Sequence, residues 1–168
     1  MALTISADAR AAKLQTSYQN LSSASKTLNA ASDKFSEAAN ALDEALNKLS
    51  PGVTAWVTIN GWADDDAPWQ RTEERLGFAK IHGRWGLSLC RVTMDGNTGE
   101  EETADSWLFN DGPRNLRLKA IEHVPELVES LAREAERTAK TVSEGANVAL
   151  QLAHAINQAA VANKENRK

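Results

Sequence analysis

A seven-residue repeat of large apolar residues constrains the fold of this chain more than any other feature. The repeat lies in a segment without proline or glycine, from Leu3 to Leu49, that is rich in alanine and serine. Its members are Leu14, Leu21, Leu28, Phe35, Leu42 and Leu49. An average apolar spacing of about 3.5 residues keeps one stripe of a helix facing one partner over many turns. The repeat therefore predicts a long helix that takes part in a coiled coil.

A second pattern of this kind lies near the end of the chain. Val124-Pro125 favours the start of a helix there, because proline suits the first helical position. Apolar or small residues then alternate at spacings of three and four, at Val128, Leu131, Ala135, Thr138, Val142, Gly145, Ala149, Leu152 and Ile156. We expect the two helices to lie antiparallel as a hairpin. A two-helix hairpin leaves apolar surface uncovered, so we also expect a homo-oligomer, with a dimer that forms a four-helix bundle favoured.

The segment between the two helices changes to a strand pattern. All five tryptophans lie between Pro51 and Gly112, and the sequence predicts strands at 53–59, 76–81, 85–94 and 106–110. His82-Gly83 joins the second and third strands, since glycine readily adopts the positive φ of a tight hairpin turn. In strand alternation, Trp85 shares a face with Leu87 and Leu89, while Cys90 lies on the other face. We expect an antiparallel meander of three or four strands.

These patterns together predict an α+β fold, in which a small antiparallel β-meander is inserted into a long helical coiled-coil hairpin. The expected parts are an N-terminal helix at 1–50, an acidic, tryptophan-rich β module at 51–112 and a short connecting helix at 113–124. The last part is a C-terminal helix at 125–168 with a frayed polar tail.

Charge is distributed unevenly along the chain. The net charge is −4, which disfavours nucleic acid as the main ligand because no excess positive field gathers phosphates. Residues 51–112 hold five basic and eleven acidic residues, a net charge of −6, whereas the two flanking segments are neutral or slightly basic. We expect a partner protein with a basic surface to be steered to the β module; a solvated acidic loop is the alternative.

Tryptophans and aspartates in the β module are the candidate partner-binding residues. Strand alternation places Trp56 opposite the face of Val53 and Val57, and Trp62 or Trp69 from the following loop extends the Trp56 face. The candidate set is Trp56, Trp62, Trp69, Asp64, Asp65 and Asp66. Aromatic residues dominate interface hot spots, which favours a binding role. Cover by the short helix or by a second subunit is the competing interpretation.

Other chemically active residue types form weaker patterns. Asp64-Asp65-Asp66 offers oxygen ligands to a hard cation, but an aspartate-rich turn before Pro68 is the favoured interpretation, and we expect no metal or cofactor. Arg114, Arg117 and Lys119 form a basic group that either binds an anion or makes local ion pairs. Cys90 lies mid-strand, where a cysteine usually acts as a small hydrophobe. The segment from Asp95 to Ser106 departs from the spacing of a calcium loop and predicts a hairpin loop.

Function follows only indirectly from these observations. A single cysteine, the absence of a signal-peptide pattern and the lack of a long apolar run favour a cytoplasmic protein that does not enter membranes. The leading hypothesis is a non-enzymatic, homo-oligomeric scaffold or adaptor whose helices assemble and whose β module binds a partner. The first alternative is a regulator with a small-ligand pocket between the sheet and the short helix. A metal- or thiol-dependent enzyme that uses Asp64, Asp65, Asp66 or Cys90 is a further alternative.

Overall fold

The computed structural model describes residues 7–49, 51–63 and 67–165. Its elements are α1 (Ala7–Leu49), β1 (Ala55–Ala63), β2 (Gln70–Ile81), β3 (Arg84–Asp95), β4 (Glu101–Leu108), a 3-10 turn (Phe109–Asp111), α2 (Arg114–Ala120), a second 3-10 turn (Ile121–His123) and α3 (Val124–Glu165). The predicted α+β class is therefore confirmed at the level of a long N-terminal helix, an antiparallel sheet and a C-terminal helix. By its contacts, the chain divides into two units, Met1–Ala45 and Leu46–Lys168.

The four strands form an antiparallel sheet in the order β1-β2-β3-β4, which confirms the predicted meander. Two strands begin earlier than expected. β2 begins at Gln70 and β4 at Glu101, because charged residues that resemble a loop sequence form ion pairs within β2 and between β2 and β4. Charged side chains also suit β4 as an edge strand, since they discourage pairing with another chain.

The turn between β2 and β3 confirms the predicted hairpin. Ile81 pairs with Arg84, and the two residues between them, His82 and Gly83, have φ values of 48° and 84°. Both values lie in the left-handed region, as the two-residue turn that matches strand twist requires. His82 adopts this conformation although it carries a Cβ atom.

The largest buried side chains of the sheet lie on one face, which we call the helix-covered face. Leu76 pairs with Leu89 and Phe78 pairs with Leu87, so the four side chains project together, and each is at most 1% exposed. Helices α2 and α3 contact this sheet. Their buried residues are Leu116, Ala120, Leu127 and Leu131. The predicted common face of Trp85, Leu87 and Leu89 is confirmed by the pairing, and Trp85 also stacks on Phe78 with ring centroids 5.7 Å apart.

The other side of the sheet, which we call the opposite face, carries smaller side chains. Gly77 pairs with Ser88, and Cys90 lies two residues further along β3. Ser88 and Cys90 are buried, and Trp56 on β1 pairs with Gly77. A Cβ atom at Gly77 would overlap the Trp56 ring, so only glycine allows this ring to lie against the strand. The opposite face thus combines one large ring with small neighbours.

The two long helices have the predicted extents within the described residues, but the predicted coiled-coil hairpin is not shown. Every described side chain of α1 from 9 to 31 is exposed, as is every one of α3 from 139 to 158. The exposed residues of the predicted seam are Leu14, Leu21, Leu28, Leu42, Leu49, Val128, Val142, Leu152 and Ile156. Phe35 is half-buried, while Leu131 is buried within the Leu46–Lys168 unit. A Cβ atom at Gly145 would meet no atom within 4 Å.

Candidate functional site

Trp56 and Trp62 lie on opposite faces of the sheet, so Trp62 does not extend the Trp56 face. A register shift between Thr58 and Asn60 leaves Ile59 as an extra residue in β1. Strand alternation alone would place all even-numbered residues of β1 on one side. Because of the extra residue, Trp62 pairs with Thr72 on the helix-covered side, whereas Trp56 pairs with Gly77 on the opposite face.

Trp62 and Trp69 are the more exposed members of the predicted set. Their exposed fractions are 42% and 49%, whereas Trp56 is half-buried against Gly77. Trp69 lies in the turn before β2, and its carbonyl oxygen accepts a hydrogen bond of 2.6 Å from the backbone nitrogen of Gly96. This bond joins the entrance of β2 to the loop between β3 and β4, at the end of the sheet where Trp62 also lies.

A row of paired residues crosses all four strands at this end. Trp62 of β1 pairs with Thr72 of β2, Thr72 pairs with Thr93 of β3, and Thr93 pairs with Glu102 of β4. Directly paired residues of antiparallel strands project to the same face, so the four side chains share one side of the sheet. We call these four residues, together with Trp69, the sheet end. Thr72, Thr93 and Glu102 were absent from the sequence-based set, because their proximity depends on register.

An ion-pair ladder crosses the opposite face near this end. Glu73 contacts the Nε atoms of Arg71 and Arg75 at 3.2 and 2.9 Å and accepts a hydrogen bond from the Thr58 hydroxyl. Arg75 also contacts Glu101 of β4 at 3.0 Å. The hydrogen bond from Arg75 lowers the pKa of Glu101, and the same bond raises the pKa of Arg75. The alternation of Arg71, Glu73 and Arg75 is a sequence signal for this ladder, since such spacing puts all three on one face of a strand.

A second ion-pair group lies on the helix-covered face. Arg91 of β3 contacts the buried Glu74 carboxylate at 3.2 Å and Asp105 of β4 at 3.5 Å. The pairing of Arg91 with Glu74 in β2 and with Asp105 in β4 places the three residues in one row. These contacts account for the burial of a carboxylate that would otherwise be costly.

β3 and β4 are joined by a hairpin loop, but the loop is shorter than the one predicted from Asp95 to Ser106, because β4 begins at Glu101. The Asp95 carboxylate accepts a hydrogen bond of 2.7 Å from the backbone nitrogen of Asn97, and the Asp95 carbonyl accepts another from Gly99. The Asp95 side chain therefore organises the turn. Among residues 7–49, 51–63 and 67–165, no group of three His, Cys, Asp or Glu side chains has metal-binding geometry. Asp64, Asp65 and Asp66 lie outside the described residues.

The predicted basic group on α2 has three different environments. Arg114 is exposed, and the half-buried Arg117 donates a hydrogen bond of 3.5 Å to the Asn110 side chain. Lys119 lines a shallow depression of about 420 Å³ between β1 and the segment around α2. The other residues of this depression are Ile59, Asn60, Leu118, Glu122 and His123. His123 itself contacts Glu126 at 3.0 Å.

Cys90 lies in the middle of β3 on the opposite face and is 5% exposed. Burial raises the pKa of its thiol to about 11. The thiol therefore stays protonated near neutral pH, and the thiolate that nucleophilic catalysis needs is a small fraction of the population. This environment matches the interpretation of Cys90 as a small apolar side chain.

Comparison of the chain with models of protein families, with curated proteins and with solved structures finds no match. Among the described residues, no helix combines the length and the apolar character that crossing a membrane requires.

Proposed function

We propose that this protein is a non-enzymatic, homo-oligomeric scaffold or adaptor. In this proposal the long helices associate with those of a second copy, and the sheet presents a surface to another protein. The observation that supports it best is that one half of each long helix exposes large apolar side chains and has almost no charged residues.

The N-terminal half of α1 is exposed yet almost uncharged. Between Leu14 and Ser32, Lys26 is the only charged residue. Leu14, Leu21 and Leu28 are 72%, 64% and 51% exposed. A helix that stays in water normally carries charged residues around most of its surface, with apolar residues confined to a covered face. The uncharged, leucine-bearing half of α1 is thus better suited to a helical partner than to water.

The C-terminal half of α3 has the same character. No Lys, Arg, Asp or Glu occurs between Gly145 and Asn163, and Val148, Leu150, Leu152 and Ile156 are 56–69% exposed. The first half of α3 differs, because it combines the buried Leu127 and Leu131 with many charged residues. In each helix, the uncharged half is the one further along the chain from the strands, which favours one assembly that covers both.

A groove on α1 favours a helix as the occupant. Its lining residues are Asn20, Ser23, Ala24, Thr27, Leu28 and Ala31. Small side chains beside a leucine allow the backbone of a second helix to come close, as in a coiled coil. A second copy offers the matching uncharged helices without a further component, and a symmetric dimer closes them into a four-helix bundle.

The test is light scattering coupled to size exclusion over about a hundredfold range of concentration. We expect the wild-type protein to have a constant molar mass that is a multiple of the 18.2 kDa of one chain. Leu21→Asp and Leu152→Asp should reduce the mass to that of the monomer, because a carboxylate on the apolar stripe must lose its hydration in the assembly. Gln19→Asp and Asn147→Asp are matched controls that add the same charge away from the stripe, and they should keep the wild-type mass.

A wild-type chain that remains a monomer throughout this range would contradict the proposal. If the control variants dissociated as fully as the stripe variants, the added negative charge alone would explain the dissociation, which would contradict a special role of the apolar stripe. Circular dichroism of each variant separates loss of assembly from loss of helix.

The depression between β1 and the α2 segment supports a second candidate, a regulator that binds a small ligand. Lys119, Asn60 and His123 supply polar groups there, and Ile59 and Leu118 supply apolar surface, which is the usual composition of a ligand site. Thermal shift and tryptophan fluorescence with a panel of metabolites and nucleotides test this candidate. A hit that Lys119→Glu abolishes would favour it, and no response across the panel would leave the scaffold as the better proposal.

A further inference from the structure

We propose that the sheet end, formed by Trp62, Trp69, Thr72, Thr93 and Glu102, is the docking surface for a basic, extended segment of a partner protein. This inference rests on the proposed function, since it names the site and the partner chemistry of the adaptor. Three observations support it. Four paired residues form a row on one face of the sheet, Trp62 and Trp69 are exposed, and acidic residues are concentrated at this end of the sheet.

The row is continuous and accessible. Its four members are consecutive partners across β1, β2, β3 and β4, so their side chains form a line on one side of the sheet. Trp62 and Trp69 are 42% and 49% exposed, Glu102 is exposed, and both threonines are half-buried. The row therefore offers one indole ring, two hydroxyl groups and one carboxylate to a ligand that runs across the strands, and Trp69 adds a second exposed indole in the turn that leads into β2.

Charge differs between the two ends of the sheet, because acidic residues are concentrated at one end and absent from the other. Around the sheet end, residues 70–75 and 91–105 hold seven acidic and three basic side chains. The three basic ones, Arg71, Arg75 and Arg91, already contact acidic residues in ion pairs. At the hairpin end, residues 76–90 hold Lys80 and Arg84 and no acidic residue. The negative potential is thus concentrated where the exposed indoles lie, and it favours a cationic ligand there.

The chemistry of the row matches arginine and lysine side chains. An indole face attracts a guanidinium or ammonium group by a cation–π interaction, and Glu102 accepts charge-assisted hydrogen bonds from the same groups. Exposed tryptophan and an acidic rim together form the kind of hot spot that alanine substitution reveals in interfaces. A second copy is a poorer occupant, because the chain is acidic overall and the arginines near its own sheet end, Arg71, Arg75 and Arg91, are in ion pairs.

The experiment uses a twelve-residue peptide of arginine, lysine and glycine, titrated into the full-length chain by calorimetry at physiological salt. The same peptide with glutamate in place of the basic residues is the control ligand. We expect saturable binding of the basic peptide only. Glu102→Lys and the Trp62→Ala/Trp69→Ala double variant should each weaken binding about tenfold or more. Glu122→Lys makes the same change in net charge on an exposed residue outside the strands, and it should change affinity by less than about twofold.

Three results would overturn the inference. The first is no binding of the basic peptide. The second is equal weakening by Glu102→Lys and Glu122→Lys, which would mean general electrostatic attraction. The third is self-association that Lys80→Glu or Arg84→Glu abolishes. In that case the basic hairpin end of a second copy, and not a partner protein, would occupy the sheet end. Circular dichroism verifies that each variant is folded, and Glu102→Lys tests the site with both tryptophans intact.

A parallel titration of Leu21→Asp separates this inference from the proposed assembly. We expect this variant to lose the oligomer and keep the peptide affinity. Wild-type chain that is monomeric but binds the peptide would contradict the assembly alone. Chain that assembles but fails to bind the peptide would contradict the sheet-end proposal alone.

Discussion

The leucines of the sheet and those of the long helices have opposite environments, although both sets recur in regular patterns. Leu76, Leu87 and Leu89 are at most 1% exposed, whereas Leu14 and Leu152 are 72% and 60% exposed. In the sheet, alternation places the leucines on the one face that α2 and α3 contact. In the uncharged halves of the helices, the described leucines are exposed. Regular apolar spacing thus indicates that a face needs a partner, but it does not say whether the same chain supplies it.

Charge distinguishes the two regions as clearly as burial does. The strands of the sheet end carry many acidic and basic residues, and several of these contact one another across strands. The exposed helix halves carry almost no charge. Charged groups that contact each other can be partly buried at modest cost, whereas an uncharged exposed helix has little to keep it soluble. The sheet thus satisfies its charged groups within the chain, whereas the uncharged helix halves leave apolar side chains exposed.

The same substitution in the two regions is the strongest test of this comparison. Leu89→Ala should lower the free energy of unfolding by about 3 kcal/mol, because it leaves a cavity in a covered core. Leu21→Ala should change it by less than about 0.5 kcal/mol at concentrations where the chain is monomeric, because Leu21 is exposed. Urea unfolding followed by tryptophan fluorescence and circular dichroism measures both. A cost for Leu21→Ala that equals that of Leu89→Ala and does not vary with concentration would show that Leu21 packs within its own chain.

Two glycines provide the next contrast. Gly77→Ala should lower the free energy of unfolding by about 2 kcal/mol, because its Cβ atom would overlap the Trp56 ring. Gly145→Ala should raise it by up to about 1 kcal/mol in the monomer, since its Cβ atom meets open space and alanine favours a helix. Thermal unfolding of both variants measures the pair. Trp56→Ala should remove most of the cost of Gly77→Ala, and independent effects of these two changes would contradict the packing of Trp56 on Gly77.

The smallest expected effect concerns the exposed end of the ion-pair ladder. Arg75 lowers the pKa of Glu101, so the folded state binds this proton less readily than the unfolded state. The contribution of Glu101 to stability is therefore present above its ordinary pKa of 4.5 and is lost as the pH falls through the lowered pKa. Glu101→Gln should cost at most about 0.5 kcal/mol at pH 7, since solvent screens the pair.

Urea unfolding of Glu101→Gln as a function of pH checks this expectation. The difference from the wild type should disappear at a pH below the lowered pKa. Glu122→Gln, on an exposed residue outside the strands, is the control and should show no such dependence. A difference in the free energy of unfolding that stays constant at all pH values would mean that the loss of the Arg75 contact does not cause the effect of the substitution.

The sequence predicted most of the secondary structure, but it did not predict which side chains of the candidate site lie together. Heptads, the His82-Gly83 turn and the alternation around Leu87 predicted the helices, the β2–β3 hairpin and the buried face, because these patterns are local. The early start of β2 was missed, since Glu73 and Arg75 look solvated until their partners are known. Trp62 was expected in a loop beside the Trp56 face, because no local signal shows that β1 continues to Ala63 or that Ile59 is an extra residue. The row from Trp62 to Glu102 depends on three strand registers at once.

Local spacing was enough to determine that the chain has a long helix before and a long helix after an antiparallel sheet, since helical and strand periodicities differ and turns have their own residues. It also determined that both helices carry apolar stripes. Tertiary structure was needed to assign faces, because one bulge reverses the side of every residue beyond it. It was also needed to show that Leu89 is covered and Leu21 is not. Burial depends on what approaches a residue in space, and the spacing of residues along the chain does not contain that information.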